Sequence, residues 1–135
     1  MNKISILFFG STTDSVIVLE QIFSFSIQHL AFSIAAIVTQ PPRPVGREKI
    51  ITPTPVELWG KAHHISVLSF ESNADKPWLY KDEQCVIDTL ESIQADVLIS
   101  ASYGQKIPWE TISNAPRGGI NVHPSILPRW RGADP

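Results

Sequence analysis

Cysteine is almost missing from this sequence, with a single residue, Cys85. That excludes an internal disulfide framework and a multi-cysteine zinc site, and it suits a reducing compartment. Cys85 itself reads as a small buried residue of a helix. Long apolar runs are also missing: the first, Ile4 to Phe9, is stopped by Gly10 after only six residues. Such a run is too short for the core of a signal peptide or a membrane span, so a cytoplasmic location is expected, with no membrane partner. Charge of one sign is not in excess, since Lys+Arg number 11 and Asp+Glu 13, for a formal net charge of −2. A protein that coats nucleic acid generally is thereby excluded, DNA is not an expected partner, and any RNA contact must come from a local patch. Glycine is scarce where a dinucleotide site would need it: Gly10-Ser11-Thr12-Thr13-Asp14-Ser15 lacks the Gly-x-Gly-x-x-Gly turn, which argues against a nicotinamide cofactor. His63 and His64 stand on a helix end without a third ligand nearby in sequence, so a surface or helix-dipole role is expected and no metal.

What is present describes a folded domain. The 135 residues are 43% hydrophobic and 18% charged, enough for one core and too few for two ordinary domains. Residues 4–9 form a near-continuous apolar run, the pattern of a strand buried on both faces. A helix over residues 15–27 follows, with Val16, Leu19, Ile22 and Phe23 at helical spacing and Asp14 as its candidate cap. Residues 32–39 read as the second strand of a βαβ unit. Residues 40–53, with Pro41, Pro42, Pro44, Pro53 and Gly46, read as a long exposed loop. Thr54, Pro55 and Glu57 then fit a helix start at Pro55 that continues to about His63. A short strand at 65–68, a helix from about Lys81 to Ile93, a buried strand at 97–101, a short helical segment from Pro108 to Ile112 and a strand from Gly119 complete the pattern. The alternation implies an open, mostly parallel, Rossmann-like α/β sheet with flanking helices. Ligands bind such sheets at the carboxyl ends of the strands, where Gly10, the proline loop, Tyr103 and His123 fall.

The last segment carries the chemistry. In Gly119-Ile120-Asn121-Val122-His123-Pro124-Ser125-Ile126-Leu127-Pro128-Arg129-Trp130-Arg131-Gly132-Ala133-Asp134-Pro135, alternation puts Asn121 and His123 on one face of an extended segment and leaves Ile120 and Val122 to pack. An amide N–H can bond a developing oxyanion, and an imidazole can take a proton from an attacking amine, so the pair suits group transfer through a tetrahedral intermediate. For an arbitrary Asn-x-His the commoner reading is a turn cap and a surface histidine. The residues around this one change that balance.

Asn-x-His-x-Ser-Ile-Leu-Pro followed by Arg129-Trp130-Arg131-Gly132 resembles the signature of the folate-dependent formyltransferases, in the version carried by members that act on methionyl-tRNA. Two further segments agree in order and spacing. Thr39-Gln40-Pro41-Pro42-Arg43-Pro44-Val45-Gly46-Arg47 is similar to the tRNA-contacting loop of those members, and Ser102-Tyr103-Gly104-Gln105-Lys106-Ile107-Pro108 is similar to their Tyr-Gly-x-x-Ile/Leu-Pro segment. The resemblance implies formyl transfer from 10-formyltetrahydrofolate to the α-amino group of initiator methionyl-tRNA by a protein that is a monomer when complete. It makes Asn121 and His123 two members of an Asn, His, Asp catalytic set. It gives Ser125, Ile126, Leu127 and Pro128 to folate, and Arg43, Arg47 and Lys49 to the acceptor stem, where cationic groups meet phosphates and end nucleotides. The rival for the three cations is an ordinary solvated loop. Arg129 and Arg131 around Trp130 could bind phosphate or the glutamate tail of folate, but orientation of the loop is the preferred role.

Departures from the pattern are specific. The third catalytic residue, an Asp on a later strand, is not in the chain, and Asp134 stands where Ala is usual. Residues 1–135 are therefore expected to be a truncated N-terminal catalytic domain without its C-terminal tRNA-binding domain, and the isolated chain is expected to lose activity. Asp14 stands where the family has an aromatic residue. Two alternatives remain at this point: formylation of an amino-sugar nucleotide or glycinamide ribonucleotide, and a non-catalytic folate- or RNA-binding remnant.

Overall fold

A computed structural model describes residues 3–124, 127 and 129. The apolar run near the start forms β1 (Ile4–Gly10), whose last five residues are buried, as expected of a strand covered on both faces. It is followed by α1 (Thr13–His29), β2 (Phe32–Val38), β3 (Arg43–Val45), β4 (Ile50–Thr52), α2 (Pro55–Ala62) and β5 (Val67–Leu68). Then come α3 (Glu83–Glu91), β6 (Val97–Ala101), α4 (Trp109–Asn114) and β7 (Gly119–Asn121). β5, β2, β1, β6 and β7 lie side by side in that order, each pair parallel, so all five carboxyl ends open on one edge.

Two cores sandwich the sheet. Leu7, Phe9 and Val38 point to the α3 side and pack with Val86, Leu90 and Tyr103; Phe8 and Ile37 point to the other, against Leu19 of α1 and Val56 and Trp59 of α2. Each fully buried side chain of this size contributes about 1.5–3 kcal/mol. The amino-terminal end of β6 is locked to β1 by Asp96, whose Oδ2 accepts from Ser5 N at 2.8 Å while its own N–H donates to Ser5 O at 2.9 Å.

Several local expectations change. Thr12, not Asp14, caps α1: its hydroxyl accepts from Ser15 N at 3.3 Å, and Ser15 Oγ accepts from Thr12 N at 3.1 Å. Asp14 stays exposed in the first turn, where a carboxylate suits the helix dipole. The proline-rich stretch is not a plain loop, because β3 and β4 pair antiparallel with Pro44 opposite Ile51. Pro44 is tolerated since a two-stranded ribbon needs donors on one side only, and Gly46 (φ 77°) and Lys49 (φ 50°) supply the turn. Cys85 is exposed, because the buried positions of α3 are Val86 and Leu90 and Cys85 faces away from them. Thr54 caps α2 as expected, its hydroxyl accepting from Glu57 N at 3.0 Å.

Candidate functional site

Chain order around β1 reverses between β1 and β6: β2 and β5 lie to one side, β6 and β7 to the other. In folds of this kind the crevice at such a switch point, on the carboxyl edge of the sheet, is the usual ligand position. Ser11 ties its walls together. Its N–H donates to Ser102 O at 3.1 Å, its hydroxyl donates to Tyr103 O at 2.7 Å, and that oxygen accepts from Gln40 N at 3.1 Å. Ser15 adds a donor bond to Ala101 O at 2.5 Å. The ends of β1, β2 and β6 are thereby held together by two small hydroxyls.

Tyr103 points inward, not into the crevice. Its ring meets Phe9 edge-on with centroids 5.3 Å apart, and its hydroxyl pairs with that of Tyr80 at 2.9 Å. Burial pushes both phenols up, Tyr80 to about 12, so both are neutral at ordinary pH and serve the packing of the segment.

β7 brings Asn121 to the sheet edge beside Ser100, its register partner on β6. Ser100 Oγ donates to Asn121 Oδ1 at 2.8 Å. The pairing continues one residue further, as Val122 N–H donates to Ser100 O at 2.8 Å, and His123 follows half-buried. The expected apolar backing for this segment is not seen: Ile120 is 59% and Val122 43% exposed, because β7 is the outermost strand of the described sheet. A hollow of about 170 Å³ beside the pair is walled by Leu98, Ile107, Ile112 and Ile120. A larger one, about 250 Å³, lies between α3 and α4 near Ala95, at the opposite end of β6, and takes no part in the crevice.

Of the residues expected to contact folate, Leu127 is 55% exposed, while Ser125, Ile126 and Pro128 lie outside the described residues, as do Trp130, Arg131 and Asp134. Arg43, Arg47 and Lys49 are all exposed on the β3–β4 hairpin, as are Val45, Ile50 and Ile51. His63 stacks on Trp59 with ring centroids 3.9 Å apart and its Nδ1 is 2.8 Å from Trp59 O, a packing role at the end of α2. Among the described residues no three His, Cys, Asp or Glu side chains gather as a metal site, and no helix is long and apolar enough to cross a membrane. Ser11, Ser15 and Ser100 were not visible as site residues in the sequence, since what marks them is bonding to elements distant in the chain.

An open parallel α/β sheet with an amide and an imidazole following each other at a carboxyl strand end is an arrangement compatible with a group-transfer domain. Comparison with known proteins names it: residues 2–135 match the Formyl transferase family, and the chain belongs to that family. The chain is 41% identical over 131 residues to the methionyl-tRNA formyltransferase of Enterococcus faecalis and 40% to that of Staphylococcus epidermidis, covering 96% of this chain and 37% of each relative. Its likeness to the Syntrophus aciditrophicus methionyl-tRNA formyltransferase is 38% over 135 residues, all of this chain and 39% of that protein. The chain thus spans little more than a third of the length of these relatives. Among solved structures, phosphoribosylglycinamide formyltransferase from Brucella melitensis superposes with a TM-score of 0.70 at 17% identity, covering 97% of this chain and 62% of that one. The enzyme of the same name from Bacillus halodurans gives 0.68 at 20% identity, with 95% and 60% covered. At such identity these structures speak for the fold alone.

Proposed function

We propose that the full-length protein transfers a formyl group from 10-formyltetrahydrofolate to the α-amino group of initiator methionyl-tRNA, and that this chain is the amino-terminal part of its catalytic domain. The observation that carries this is the Asn121, Val122, His123 segment at the carboxyl edge of the sheet, on the same edge from which the basic hairpin departs. The relatives at 36–41% identity, all methionyl-tRNA formyltransferases, favour this acceptor over a ribonucleotide or an amino sugar. Soluble folate and RNA substrates also fit a cytoplasmic protein.

The donor supplies the formyl group. The chain's own fit to it rests on Asn121, which stands exposed at the edge with its carbonyl engaged by Ser100 and its N–H₂ group turned away from that hydroxyl. That group donates to the formyl oxygen as it gains negative charge, where a fixed donor is worth about 10²–10³ in rate. As the new C–N bond forms and the bond from the formyl carbon to the folate nitrogen breaks, His123 takes the proton that the amine loses and the folate nitrogen gains one, releasing tetrahydrofolate; the histidine's role is worth about 10²–10⁴. Ser125, Ile126, Leu127 and Pro128 hold the folate, and Arg43, Arg47 and Lys49 meet acceptor-stem phosphates.

Formylation assays on the full-length protein test this. His123→Ala is expected to lower kcat by about 10²-fold or more with folate binding retained, and normal turnover there would refute the catalytic role. Arg47→Ala is expected to weaken use of methionyl-tRNA by about tenfold and to flatten its salt dependence. Unchanged kcat/KM for the tRNA would point instead to a smaller acceptor.

A further inference from the structure

β6 reads Val97-Leu98-Ile99-Ser100-Ala101, and Ser100 is its only polar residue. A hydroxyl in the middle of such a strand leaves an apolar surface incomplete, and nothing in the packing of β6 calls for one. Among the described residues its side-chain partner is the amide of Asn121, directly opposite across the parallel pair. Around the two lie Leu98, Ile107, Ile112 and Ile120, so among the described residues Ser100 and Asn121 are the only polar side chains lining that hollow.

An asparagine amide left to itself is two-faced. Its last torsion is broad and roughly two-fold, so oxygen and nitrogen exchange places at little cost. For a group that must stabilise a developing oxyanion the two orientations are opposite in effect, since one presents a donor and the other a repelling carbonyl oxygen. In the orientation the structure shows, the Ser100 hydroxyl donates to Oδ1 at 2.8 Å, so the oxygen lies on the Ser100 side and Nδ2 points away from it.

We propose that Ser100 is a positioning residue that fixes the amide of Asn121 with its N–H₂ toward the reacting oxygen. This rests on the role of Asn121 given above. Ser100 touches no substrate; it acts by removing the unproductive orientation before the reaction begins, which is preorganisation rather than binding.

The test is steady-state formylation by the full-length protein with both substrates varied. Ser100→Ala is expected to lower kcat about 5- to 10-fold while both KM values stay within about twofold, the signature of an interaction used in the transition state and not in the ground state. Ser100→Thr, which keeps the hydroxyl, is expected to restore most of kcat. Ser100→Cys, of similar volume but a weak donor, falls between, and it separates loss of the bond from loss of packing. The deciding measurement is Ser100→Ala in an Asn121→Ala background: coupled residues are non-additive, so the second substitution should cost nothing further. An equal loss in both backgrounds would overturn the proposal by showing a general structural effect. Wild-type kcat in Ser100→Ala beside a crippled Asn121→Ala would overturn it while sparing the reading of Asn121. Wild-type kcat in Asn121→Ala would overturn both.

Discussion

Gly10 offers the sharpest test of how the crevice is built. A Cβ at this position would lie 2.6 Å from Ser15 Cβ, 2.7 Å from Phe8 Cε1 and 2.8 Å from Ser15 Oγ, all closer than side-chain atoms tolerate. Neither neighbour can yield cheaply. Phe8 is fully buried, and Ser15 is held by three bonds: it accepts from the N–H groups of Ser11 and Thr12, each at 3.1 Å, and donates to Ala101 O at 2.5 Å. Overpacking of a core costs about 1–3 kcal/mol. Displacing Ser15 strains or breaks bonds worth about 1 kcal/mol each. Against this, alanine in place of glycine recovers about 0.5–1 kcal/mol of backbone entropy. The loss wins, by about 2–5 kcal/mol, and at about 4 °C per kcal/mol for a chain of this size Gly10→Ala should lower Tm by roughly 8–20 °C. Gly46→Ala is the control, because its Cβ would meet nothing within 4 Å and only its φ of +77° is strained. That costs about 1–2 kcal/mol. Thermal unfolding followed by circular dichroism measures both, and a Gly10→Ala midpoint no lower than that of Gly46→Ala would refute the claim that close strand–helix approach builds this wall.

Alkaline titration is a second test. Burial raises Tyr80 from its ordinary 10.0 to about 12, with the Tyr103 hydrogen bond opposing and Glu83 adding to the rise. A raised acid favours its protonated form in the folded state, so this stabilisation is complete below pH 10 and is lost as pH climbs through about 12. Unfolding free energies from urea titrations should therefore fall across that window by about 2–3 kcal/mol, and those of a Tyr80→Phe, Tyr103→Phe double variant should fall much less; equal slopes would show that the pair is not what titrates. Thr54→Ala should cost about 2–4 kcal/mol, because it removes the cap of α2 and leaves the fully buried Thr39 hydroxyl, now 2.6 Å from Thr54 Oγ1, without that partner. Adding Thr39→Val should recover part of the loss in chemical denaturation, and a purely additive double variant would sink the hydroxyl-pair account.

Much of the fold was legible because its strongest signals are local. The apolar run at 4–9, the helical spacing of Leu19 with Ile22, and Thr54 before Pro55 each state their element without help from distant residues. The hairpin of residues 43–52 was misread because prolines mark a break in sequence but do not forbid a two-stranded ribbon. Thr12 and Asp14 are both good caps on paper, and only Ser15 reaching back decides between them. For the proposed site, Asn121 and His123 stood out through the family resemblance of the residues around them, whereas Ser100 did not. A serine within an apolar strand acquires meaning only when another strand is laid beside it in a particular register, and that register is a long-range property.

The central position of β1 also sets an order of events during synthesis. Its pairing with β2 joins segments near one another in the chain, while its pairing with β6, sealed by Ser5 and Asp96, spans 91 residues. Contacts of such separation close late, since the loop between must first be gathered. The Ser11 bridge to Ser102 and Tyr103 belongs to that late closure. A nascent or partly unfolded chain can hold its first βαβ unit and still have no crevice at all, so the appearance of the site and the completion of the fold are one step.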